Sequence, residues 1–427
     1  MSGPRVVVAG GGAAGFFAAI ACAEANPNAS VLLLERSPRF LAKVRISGGG
    51  RCNVTHACFD PRELATRYPR GGRALIGPFQ KFQPRDALAW FESRGVPLKT
   101  EPDGRMFPVS DSSATIVDGL TRAARTAGVT LRHSCGLDRV TRHPDGGFAL
   151  VTSTGETLHT DRLLLALGGL RGLEAAEPAI ALGHAIEPPV PSLFTFRIVS
   201  PFLRDLPGLS VDPVELSVPG LRWRERGPLL ITHAGLSGPA VLRLSAWAAR
   251  DLHHLDYRFP LRIHWAPGLD AAALADSLAR TRAAFPARRV VNQAPLPLPA
   301  RLWRALALAP DLTPETRWAE LPRATSHRLV ERLLRTELPV DGKSLNKDEF
   351  VTCGGIRLAD VDLHTMESRL CPSLHFAGEI LDIDGLTGGF NFQAAWTTGW
   401  IAGRAIAAAP ATAPFAQGQG PRDPTHA

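Results

Sequence analysis

A glycine-rich turn near the amino terminus has the residue types and spacing of a phosphate-binding loop. Gly10-x-Gly12-x-x-Gly15 follows an apolar run at 6–9 and opens a segment of small residues typical of a helix. Gly10 permits a tight turn, Gly12 lets the backbone approach a pyrophosphate, and Gly15 allows close helix packing. Because the amino end of a helix also favours negative charge, the turn predicts a dinucleotide site.

A carboxylate follows this turn at the distance expected for ribose recognition. Glu35 ends the next apolar run, 31–35, and would accept hydrogen bonds from the ribose hydroxyls of an adenosine half. A carboxylate at this position argues against a 2′-phosphate, although Arg36 is adjacent. A glycine turn without a ligand is the competing interpretation, and the order of strand, turn and helix disfavours it.

A second loop contains three consecutive glycines. The loop consists of Ser47, Gly48, Gly49, Gly50, Arg51, Cys52 and Asn53. Its glycines let the backbone approach a flat ligand closely, and Arg51 and Asn53 can donate hydrogen bonds to that ligand. By itself the segment would be interpreted as a flexible loop, but the turn upstream makes it a predicted cofactor contact.

A third glycine-rich segment lies near the carboxyl end. Gly378-Glu379 follows a predicted strand, where a carboxylate suits a ribityl hydroxyl, and Gly388-Gly389 precedes a helix predicted from about 391 to 408. The N–H groups and positive dipole end of this helix favour an anion, including the negative charge of a reduced flavin. Two glycine-opened helices favour a two-ended ligand such as FAD over NAD.

Two side chains are candidates for proton transfer. Cys52 is a candidate proton donor, although a buried packing role is commoner for a lone cysteine. His233 precedes a predicted helix start at 237–239, where it could bind an anionic substrate or donate a proton. A histidine that is only solvated or hydrogen-bonded is the alternative.

The source of electrons is less well defined by the residues. No second Gly-x-Gly-x-x-Gly follows a strand, so the sequence predicts no separate NAD(P)H domain, and any NAD(P)H would bind transiently over the flavin. The sequence contains no Cys-x-x-Cys pair. A disulfide reductase and a cysteine-based metal site are therefore disfavoured, and no metal is predicted.

Composition excludes several classes of protein. The chain has 427 residues, of which 45% are hydrophobic and 21% charged. These fractions exclude a disordered polyelectrolyte and predict two or three domains. Without an apolar run of about 18 residues or a signal-peptide pattern, we expect a cytoplasmic protein with no membrane partner. Six scattered cysteines are expected to be mostly reduced.

The formal net charge of +8 permits a nucleic-acid partner. Of the 48 basic residues 43 are arginine, a skew that codon bias alone can produce. Segment 62–105 carries nine Lys or Arg against five Asp or Glu, and these residues would supply phosphate contacts to RNA. An ordinary basic surface is the alternative, and an aromatic content of 7% adds little support for base stacking.

The order of the predicted elements indicates an α/β chain with an insertion. A strand, helix and strand over 6–35 begin a Rossmann-like unit, Asp111 is placed to cap a helix over 112–126, and alternating segments predict a β-meander over 130–167. From about 190, short strands broken by Pro and Gly precede Ala- and Leu-rich helical segments. The chain before and after this insertion is predicted to form one domain.

Several runs occur together in the order found in a known family. They lie at 10–15, 46–55, 232–240 and 376–382, with further support at 104–108, 351–355 and 365–368. They resemble the BaiN/RdsA-like NAD(P)/FAD-dependent oxidoreductases from residue 6 to about 406. The resemblance implies a glutathione-reductase-like domain with tightly bound FAD, interrupted by a β-barrel-like domain and a small helical domain.

With this resemblance, boundaries and contacts can be assigned. The predicted domains are a discontinuous FAD-binding domain over 1–189 and 349–408, a β-barrel-like insertion over 190–267, a helical insertion over 268–348, and a disordered tail over 409–427. The predicted cofactor contacts are Gly10, Gly12, Ala13, Ala14, Gly15, Glu35, Arg36, Lys43, Ser47, Gly48, Gly49, Gly50, Arg51, Cys52, Asn53, Gly168, Gly169, Gly378, Glu379, Gly388, Gly389, Phe390 and Asn391.

One loop departs from the family pattern. Similar proteins usually have Ala-Thr-Gly-Gly where this chain has Ala166-Leu167-Gly168-Gly169, followed by an altered loop at 170–174. Leu167 removes a hydroxyl group, so a hydrogen bond from that position is not expected. The glycine pair still allows a ligand to approach the backbone closely.

The resemblance defines the cofactor better than the substrate. Members of the family reduce a conjugated C=C in oxo-steroids, convert a uridine of large-subunit ribosomal RNA to dihydrouridine, or oxidise aminoacetone. We expect an FAD-dependent reductase of an electron-poor C=C, with ribosomal RNA uridine as the leading substrate because of the net charge. An amine or small-metabolite oxidase that passes electrons to oxygen is one alternative, and a non-catalytic, flavin-bearing RNA-binding factor is the other.

Overall fold

The structure is a computed structural model that describes residues 3–144, 146–170, 172–308, 312–344 and 351–409. The chain divides into two compact units, Met1–Pro189 with Gly354–Ala427, and Val190–Cys353. The sequence-based boundaries fall after residues 189 and 348. The predicted disordered tail, from residue 410 onward, and Arg171 of the altered loop lie outside the described residues.

Both units contain strands and helices. The strands are β1 (Arg5–Ala9), β2 (Ser30–Leu34), β3 (Thr55–His56), β4 (Leu98–Thr100), β5 (Arg105–Pro108), β6 (Thr130–Arg132), β7 (Leu137–Arg142), β8 (Phe148–Thr152), β9 (Thr157–Thr160), β10 (Arg162–Leu165), β11 (Ile186–Ser192), β12 (Thr195–Arg197), β13 (Ser210–Ser217), β14 (Arg224–Thr232), β15 (Gly235–Ser237), β16 (Phe259–His264), β17 (Thr336–Val340), β18 (Gly342–Ser344), β19 (Val351–Ile356), β20 (Val361–Asp362), β21 (Glu367–Ser368) and β22 (Leu374–Phe376). The helices are α1 (Ala13–Ala25), α2 (Ala42–Ile46), α3 (Pro61–Ala65), α4 (Gly72–Lys81), α5 (Pro84–Glu92), α6 (Ser113–Thr126), α7 (Glu177–Ile180), α8 (Pro239–Trp247), α9 (Ala249–His254), α10 (Ala271–Ala284), α11 (Ala300–Ala307), α12 (Arg323–Arg335) and α13 (Phe390–Ala408).

The first unit is built on a seven-stranded sheet in the order β20-β21-β22-β10-β1-β2-β6. Strands β22, β10, β1, β2 and β6 are parallel, while β20 and β21 form an antiparallel edge. Every residue of β10 and four of the five in β1 are buried, as expected for central parallel strands covered on both faces. This confirms the predicted α/β, Rossmann-type fold.

Helices α1 and α13 pack against each other through glycine. A Cβ on Gly399 would lie 2.5 Å from the Ala14 carbonyl oxygen, and one on Gly403 would lie 2.2 Å from that of Ala18. Because the contacts advance together along both sequences, the two helices run in the same direction. Phe390 begins α13 nine residues before Gly399, and Ala14 is the second residue of α1, so the amino end of α13 extends about 12 Å beyond that of α1.

The cap of α6 differs from the predicted one. The Ser112 side chain accepts from the Ala114 N–H, whereas Asp111 has a φ of 52° and pairs with Lys99 and, at 3.4 Å, with Arg51. The prediction that Asp111 caps this helix is therefore wrong. A cap needs extended backbone, and the left-handed conformation of Asp111 directs its carboxylate elsewhere.

The second unit contains a seven-stranded antiparallel sheet in the order β17-β16-β13-β14-β15-β12-β18. Strands β17 and β18 belong to this sheet although they fall within 268–348, the predicted helical insertion. One hydrophobic cluster joins sheet residues such as Ile263 and Leu338 to helix residues such as Leu274 and Leu333. The sheet and the helices thus share a core rather than forming separate domains.

Two further properties concern the described residues alone. Within those ranges no helix has both the length and the apolar character needed to cross a bilayer. Nor do His, Cys, Asp and Glu side chains gather there in groups of three or more that could bind a metal ion. The six cysteines, all within those ranges, are buried and form no disulfide there.

Candidate cofactor site

Several of the predicted contacts follow the carboxyl ends of parallel strands. Gly10 follows β1, Glu35 follows β2, Gly168-Gly169 follows β10, and Gly378-Glu379 follows β22. These four strands are neighbours in one parallel set, so their carboxyl ends share one edge of the sheet. Open α/β sheets bind ligands at that edge.

The three fingerprint glycines have different physical roles. Gly10 has a φ of 115°, and a Cβ there would lie 2.1 Å from the Ala166 carbonyl oxygen. A Cβ on Gly15 would lie 1.9 Å from the Gly10 carbonyl oxygen. By contrast, a Cβ on Gly12 would meet none of the described atoms within 4 Å. The fold itself requires Gly10 and Gly15, whereas Gly12 leaves open space at the amino end of α1, which fits a pyrophosphate.

Glu35 is fixed beside this turn by main-chain donors. One carboxylate oxygen accepts from the Gly11 N–H and the other from the Ser37 N–H, both at 2.8 Å. Each oxygen keeps a lone pair for a ribose hydroxyl. Arg36 instead pairs with Asp138 at 2.6 Å and donates to the Leu137 carbonyl. Its guanidinium therefore binds β7 rather than the glycine turn.

Glu379 brings three of the predicted segments together. Its Oε2 accepts from Lys43 Nζ at 2.7 Å and from the Gly169 N–H at 3.1 Å. Gly168 has a φ of 77°, a conformation that glycine adopts without strain. The glycine pair before the altered loop thus contacts Glu379 through its main chain, which does not require the hydroxyl that Leu167 lacks.

The glycine loop after α2 is held in left-handed conformations. Gly48, Gly49 and Gly50 have φ values of 57°, 67° and 83°. A Cβ on either of the last two would meet none of the described atoms within 4 Å, so their backbone is accessible to a ligand. Arg51 lies with its guanidinium 3.9 Å from the Phe107 ring centre and 2.7 Å from Glu101. These contacts of Arg51 with Phe107 and Glu101 hold its guanidinium in place.

Cys52 is fully buried at the end of this loop. Its N–H donates to the Ser47 carbonyl at 3.0 Å, and its φ is 61°. Burial raises the pKa of the Cys52 thiol to about 12. A thiol that is inaccessible and only weakly acidic favours the packing interpretation over the proton-donor interpretation.

Two asparagines hold the amino end of α13 in place. With its amide nitrogen toward the Thr55 and Met106 carbonyls, Asn53 accepts from the Gly389 N–H at 3.0 Å. The Asn391 amide binds the N–H and the carbonyl of Gly385 at 2.8 and 2.9 Å. Both side chains therefore position the loop and helix. A direct contact of either amide with a cofactor is not needed to explain its presence.

Buried polar contacts lock this helix to the segment 53–56. The Thr55 hydroxyl donates to Gln393, the Gln393 amide donates to Thr397, and the Thr397 hydroxyl donates to the Phe82 carbonyl. Arg70 forms an ion pair with Asp384, whose side chain is fully buried. A fully bonded buried network makes the amino end of α13 a rigid feature.

Sequence reasoning missed two aromatic neighbours of that helix end. The His56 ring stacks on Phe390 with centroids 4.8 Å apart, and its Nε2 lies 3.0 Å from the Asp103 carbonyl oxygen. That contact places the proton on Nε2, and Nδ1 is buried with no hydrogen-bond partner among the described residues. Burial lowers the pKa of His56. Tyr68 donates to the Phe390 carbonyl at 2.6 Å.

His56 could have been predicted as a site residue because it directly follows the 46–55 run, whereas Tyr68 lies in no motif. His233, the second catalytic candidate, belongs to the other unit. It is exposed in the turn between β14 and β15 of the second unit. The glycine-rich loops and Glu35 all belong to the first unit.

Taken together, these residues fit FAD. Gly12 leaves room for a pyrophosphate at one helix end, the Glu35 carboxylate keeps acceptor lone pairs beside the same turn, and Gly49-Gly50 exposes backbone. The amino end of α13 points the same way as that of α1, at an axial offset of about 12 Å. Two positive helix ends at such a spacing suit a ligand with two separated anionic parts.

The fold and this site define an FAD-dependent oxidoreductase of the Rossmann type. Residues 4–405 match the family described as HI0933-like protein Rossmann domain, and the chain belongs to that family. This confirms the resemblance drawn from the sequence runs.

Curated relatives match over nearly their whole length. The chain is 27% identical over 414 residues to the 3-dehydro-bile acid delta(4,6)-reductase of Clostridium scindens, covering 95% of this chain and 100% of that protein. It is 29% identical over 413 residues to the ribosomal RNA dihydrouridine synthase of Escherichia coli, covering 94% and 98%. Among solved structures, a 3-ketosteroid delta1-dehydrogenase from Sterolibacterium denitrificans has a TM-score of 0.50 at 12% identity, covering 96% and 100%. That last similarity concerns the fold alone.

Proposed function

We propose that this protein reduces an electron-poor C=C bond, with a uridine of ribosomal RNA as substrate and NAD(P)H as a transient electron donor. The observation that carries the redox chemistry is the pair of glycine-opened helices, parallel and offset, at one edge of the sheet. Bound FAD would supply the hydride chemistry. NAD(P)H is proposed as a transient visitor because the sequence has a single Gly-x-Gly-x-x-Gly fingerprint after a strand.

The names of the two relatives support C=C reduction. One is a reductase of a bile acid and the other a synthase of dihydrouridine, the form of uridine whose C5=C6 bond is reduced. In both substrate classes the double bond is conjugated to a carbonyl group, so hydride addition produces charge on oxygen. The protein's part is to hold cofactor and substrate in place and to exclude water from the reacting carbon.

Different residues of the chain would bind different parts of the cofactor. Gly12 and the amino end of α1 would bind pyrophosphate, Glu35 would bind the adenosine ribose, and Glu379 with Lys43 would bind the ribityl side. We assign no proton transfer to Cys52, because its complete burial keeps the thiol away from a substrate.

Charge favours RNA over a small neutral substrate, and two regions contribute to it. Segment 62–105 has a net charge of +4, although Arg67, Arg70, Arg94, Lys99 and Arg105 form ion pairs. Residues 190–353 contain 22 Lys or Arg and 16 Asp or Glu, a net charge of +6. The second unit is therefore the more basic part of the chain.

Gene deletion followed by dihydrouridine mapping in ribosomal RNA tests the proposal. We expect one uridine to lose its modification, to regain it with the wild-type gene, and to remain unmodified with Glu35→Ala. Asp138→Asn, which breaks the Arg36 ion pair at the surface of the same unit, is the matched control and should complement fully.

If no ribosomal position changes on deletion, the RNA substrate is wrong. Rapid peroxide formation with aminoacetone, insensitive to salt, would instead identify an oxidase. A protein that binds RNA without any substrate-dependent flavin turnover would be a non-catalytic binding factor.

A further inference from the structure

The basic residues of the second unit are concentrated in its helical part. Segment 280–335 contains 11 arginines against four Asp or Glu. We propose that five of these arginines form a docking surface for the phosphate backbone of RNA. The surface is defined by Arg282, Arg288, Arg289, Arg317 and Arg323, and we call it the arginine surface. This inference rests on the proposed RNA substrate and names the part of the chain that binds it.

The arginine surface is built on two short paired segments. Arg289 and Arg317 are antiparallel bridge partners. The flanking hydrogen bonds run from the Val290 N–H to the Thr316 carbonyl at 2.9 Å and from the Trp318 N–H to the Arg288 carbonyl at 3.0 Å. This pattern makes Arg289 and Arg317 a non-hydrogen-bonded pair, the arrangement in which opposite side chains lie closest and on the same face.

Stability does not explain two cations in that position, since like charges directly opposite each other destabilise a pair of strands. Glu315 reaches Arg289 only at 3.8 Å, and both side chains are more than half exposed. Among the described residues, no carboxylate lies within 4 Å of the Arg317 guanidinium. Glu320 accepts from the main-chain N–H of Arg317. The repulsion is therefore only weakly offset by the protein, and an anionic partner would relieve it.

The other three arginines extend the same charge. Arg282 donates to the carbonyls of Ala319 and Leu321, two and four residues after Arg317, at 2.7 and 3.2 Å. Arg323 is the first residue of α12, where a positive charge opposes the helix dipole. Arg288 is exposed beside the paired arginines. Arg323 thus lies where local stability alone would favour a neutral or acidic residue, and Arg282 braces the paired segments.

A rigid base supports this surface. Trp318 is fully buried and stacks on Trp303 with centroids 6.4 Å apart and planes 6° from parallel. The Trp303 indole N–H donates to the Val290 carbonyl at 2.7 Å. The buried tryptophans thus hold the backbone of the paired segments in place. Their arginines are exposed to solvent on a backbone that is already ordered, so binding costs little backbone entropy.

Guanidinium groups bind phosphate oxygens in a bidentate manner, and five of them on one surface suit a ligand with repeated phosphates. Phe285, the C-cap residue of α10 between Arg282 and Arg288, is 41% exposed and offers one ring for base stacking. The arginines themselves would contact the RNA backbone rather than base edges. Such contacts give affinity that falls steeply with salt.

The test measures binding of in vitro transcribed large-subunit ribosomal RNA to holoprotein over a range of salt concentrations. In Arg289→Gln/Arg317→Gln we expect about tenfold weaker binding and a salt slope smaller by about one to two. The matched control is Arg224→Gln/Arg262→Gln, which removes two exposed arginines of the same unit that pair with Glu215 and Glu337. It should bind within about twofold of wild type.

Thermal unfolding and flavin reoxidation by a small conjugated enone accompany the binding measurement. Both should be unchanged in the Arg289/Arg317 variant, which separates a docking defect from a folding or redox defect. Wild-type RNA affinity and salt slope in that variant would overturn the proposal. Equal competition by polyglutamate and by RNA would also overturn it, because the surface would then bind any polyanion. Loss of RNA binding without a deletion effect on dihydrouridine would instead leave the docking surface standing and remove the proposed function.

Discussion

Lys43 and Glu379 lie 2.7 Å apart, nitrogen to oxygen, although 336 positions separate them in the chain. The same carboxylate oxygen accepts from the Gly169 N–H, so one atom connects α2, the loop after β10 and the loop after β22. The carboxylate is mostly covered, at 19% exposure, while the lysine is half exposed. A shared acceptor of this kind holds one helix and two loops of the candidate site together.

Replacing Glu379 with Gln should weaken FAD binding more than it destabilises the fold. The change removes the charge that holds Lys43, and a half-exposed pair contributes at most about 1 kcal/mol to stability. We expect about a tenfold loss of FAD affinity, or about 1.4 kcal/mol, measured by titrating the apoprotein. Glu187→Gln breaks an exposed ion pair with Arg357 in the same unit and serves as control. Equal losses of affinity in both variants would contradict a site role for Glu379.

The glycine turn offers a sharper contrast between two single-methyl substitutions. Gly12→Ala places its Cβ in open space at a φ of −90°, so the apoprotein should keep its stability within about 0.5 kcal/mol. Gly15→Ala places a Cβ 1.9 Å from the Gly10 carbonyl oxygen and should destabilise the apoprotein by about 1–3 kcal/mol.

Visible flavin absorbance and urea unfolding of the same preparations distinguish the two effects. Gly12→Ala should lose FAD while folding normally, because the added methyl occupies the space proposed for the pyrophosphate. If Gly12→Ala retains stoichiometric FAD with unchanged affinity, the pyrophosphate does not approach this turn.

The site positions that could be predicted from the sequence are those whose residue type is required by neighbouring residues in the chain. The glycines of the first turn and Glu35 follow from sterics and from the order of strand, turn and helix. The Lys43–Glu379 contact and the stacking of His56 on Phe390 arise only when distant segments meet at the sheet edge. No spacing in the chain encodes them.

Two of the errors have identifiable causes. Thr336–Val340 alternates buried and exposed residues, a two-residue period that the surrounding helical segments obscured. Asp111 has the right residue type for a cap, but the adjacent Ser112 has the extended backbone a cap requires. In both cases the local sequence allowed two structures, and the neighbouring chain decided between them.

Cys52 provides a test of whether the glycine loop supplies a proton. Its thiol pKa of about 12 predicts that the pH profile of flavin turnover shows no thiol ionisation below about pH 10. Cys52→Ala should keep kcat/KM within about threefold, because the side chain packs but does not react. Iodoacetamide should leave Cys52 unmodified in native protein and modify it after unfolding. A hundredfold loss of kcat in Cys52→Ala with a normal flavin spectrum would restore the proton-donor interpretation.

His375 should make the fold sensitive to acid. It lies in β22 and is almost completely buried, and its Nδ1 has no hydrogen-bond partner among the described residues. Burial, aided by the positive charge of Arg162, lowers the pKa of His375 to about 3. The unfolded imidazole binds a proton below about pH 6.5 and the folded one does not, so stability falls as the pH drops through that window. The expected slope is up to about 1.4 kcal/mol per pH unit. Burial lowers the pKa of His56, His184 and His264 in the same direction, which adds to the effect.

Urea unfolding between about pH 5 and 7 measures this slope, and His375→Leu isolates the contribution of one group. In the variant the slope of the unfolding free energy against pH should fall by the amount that corresponds to about one bound proton. The unfolding transition should remain cooperative. His254→Leu, at an exposed position in α9, should keep the wild-type slope. An unchanged slope in His375→Leu would mean that the buried imidazole is already protonated in the native state or that it is solvated. In either case the central strand would be less tightly covered than its burial indicates, and the acid sensitivity would have to come from the other three histidines.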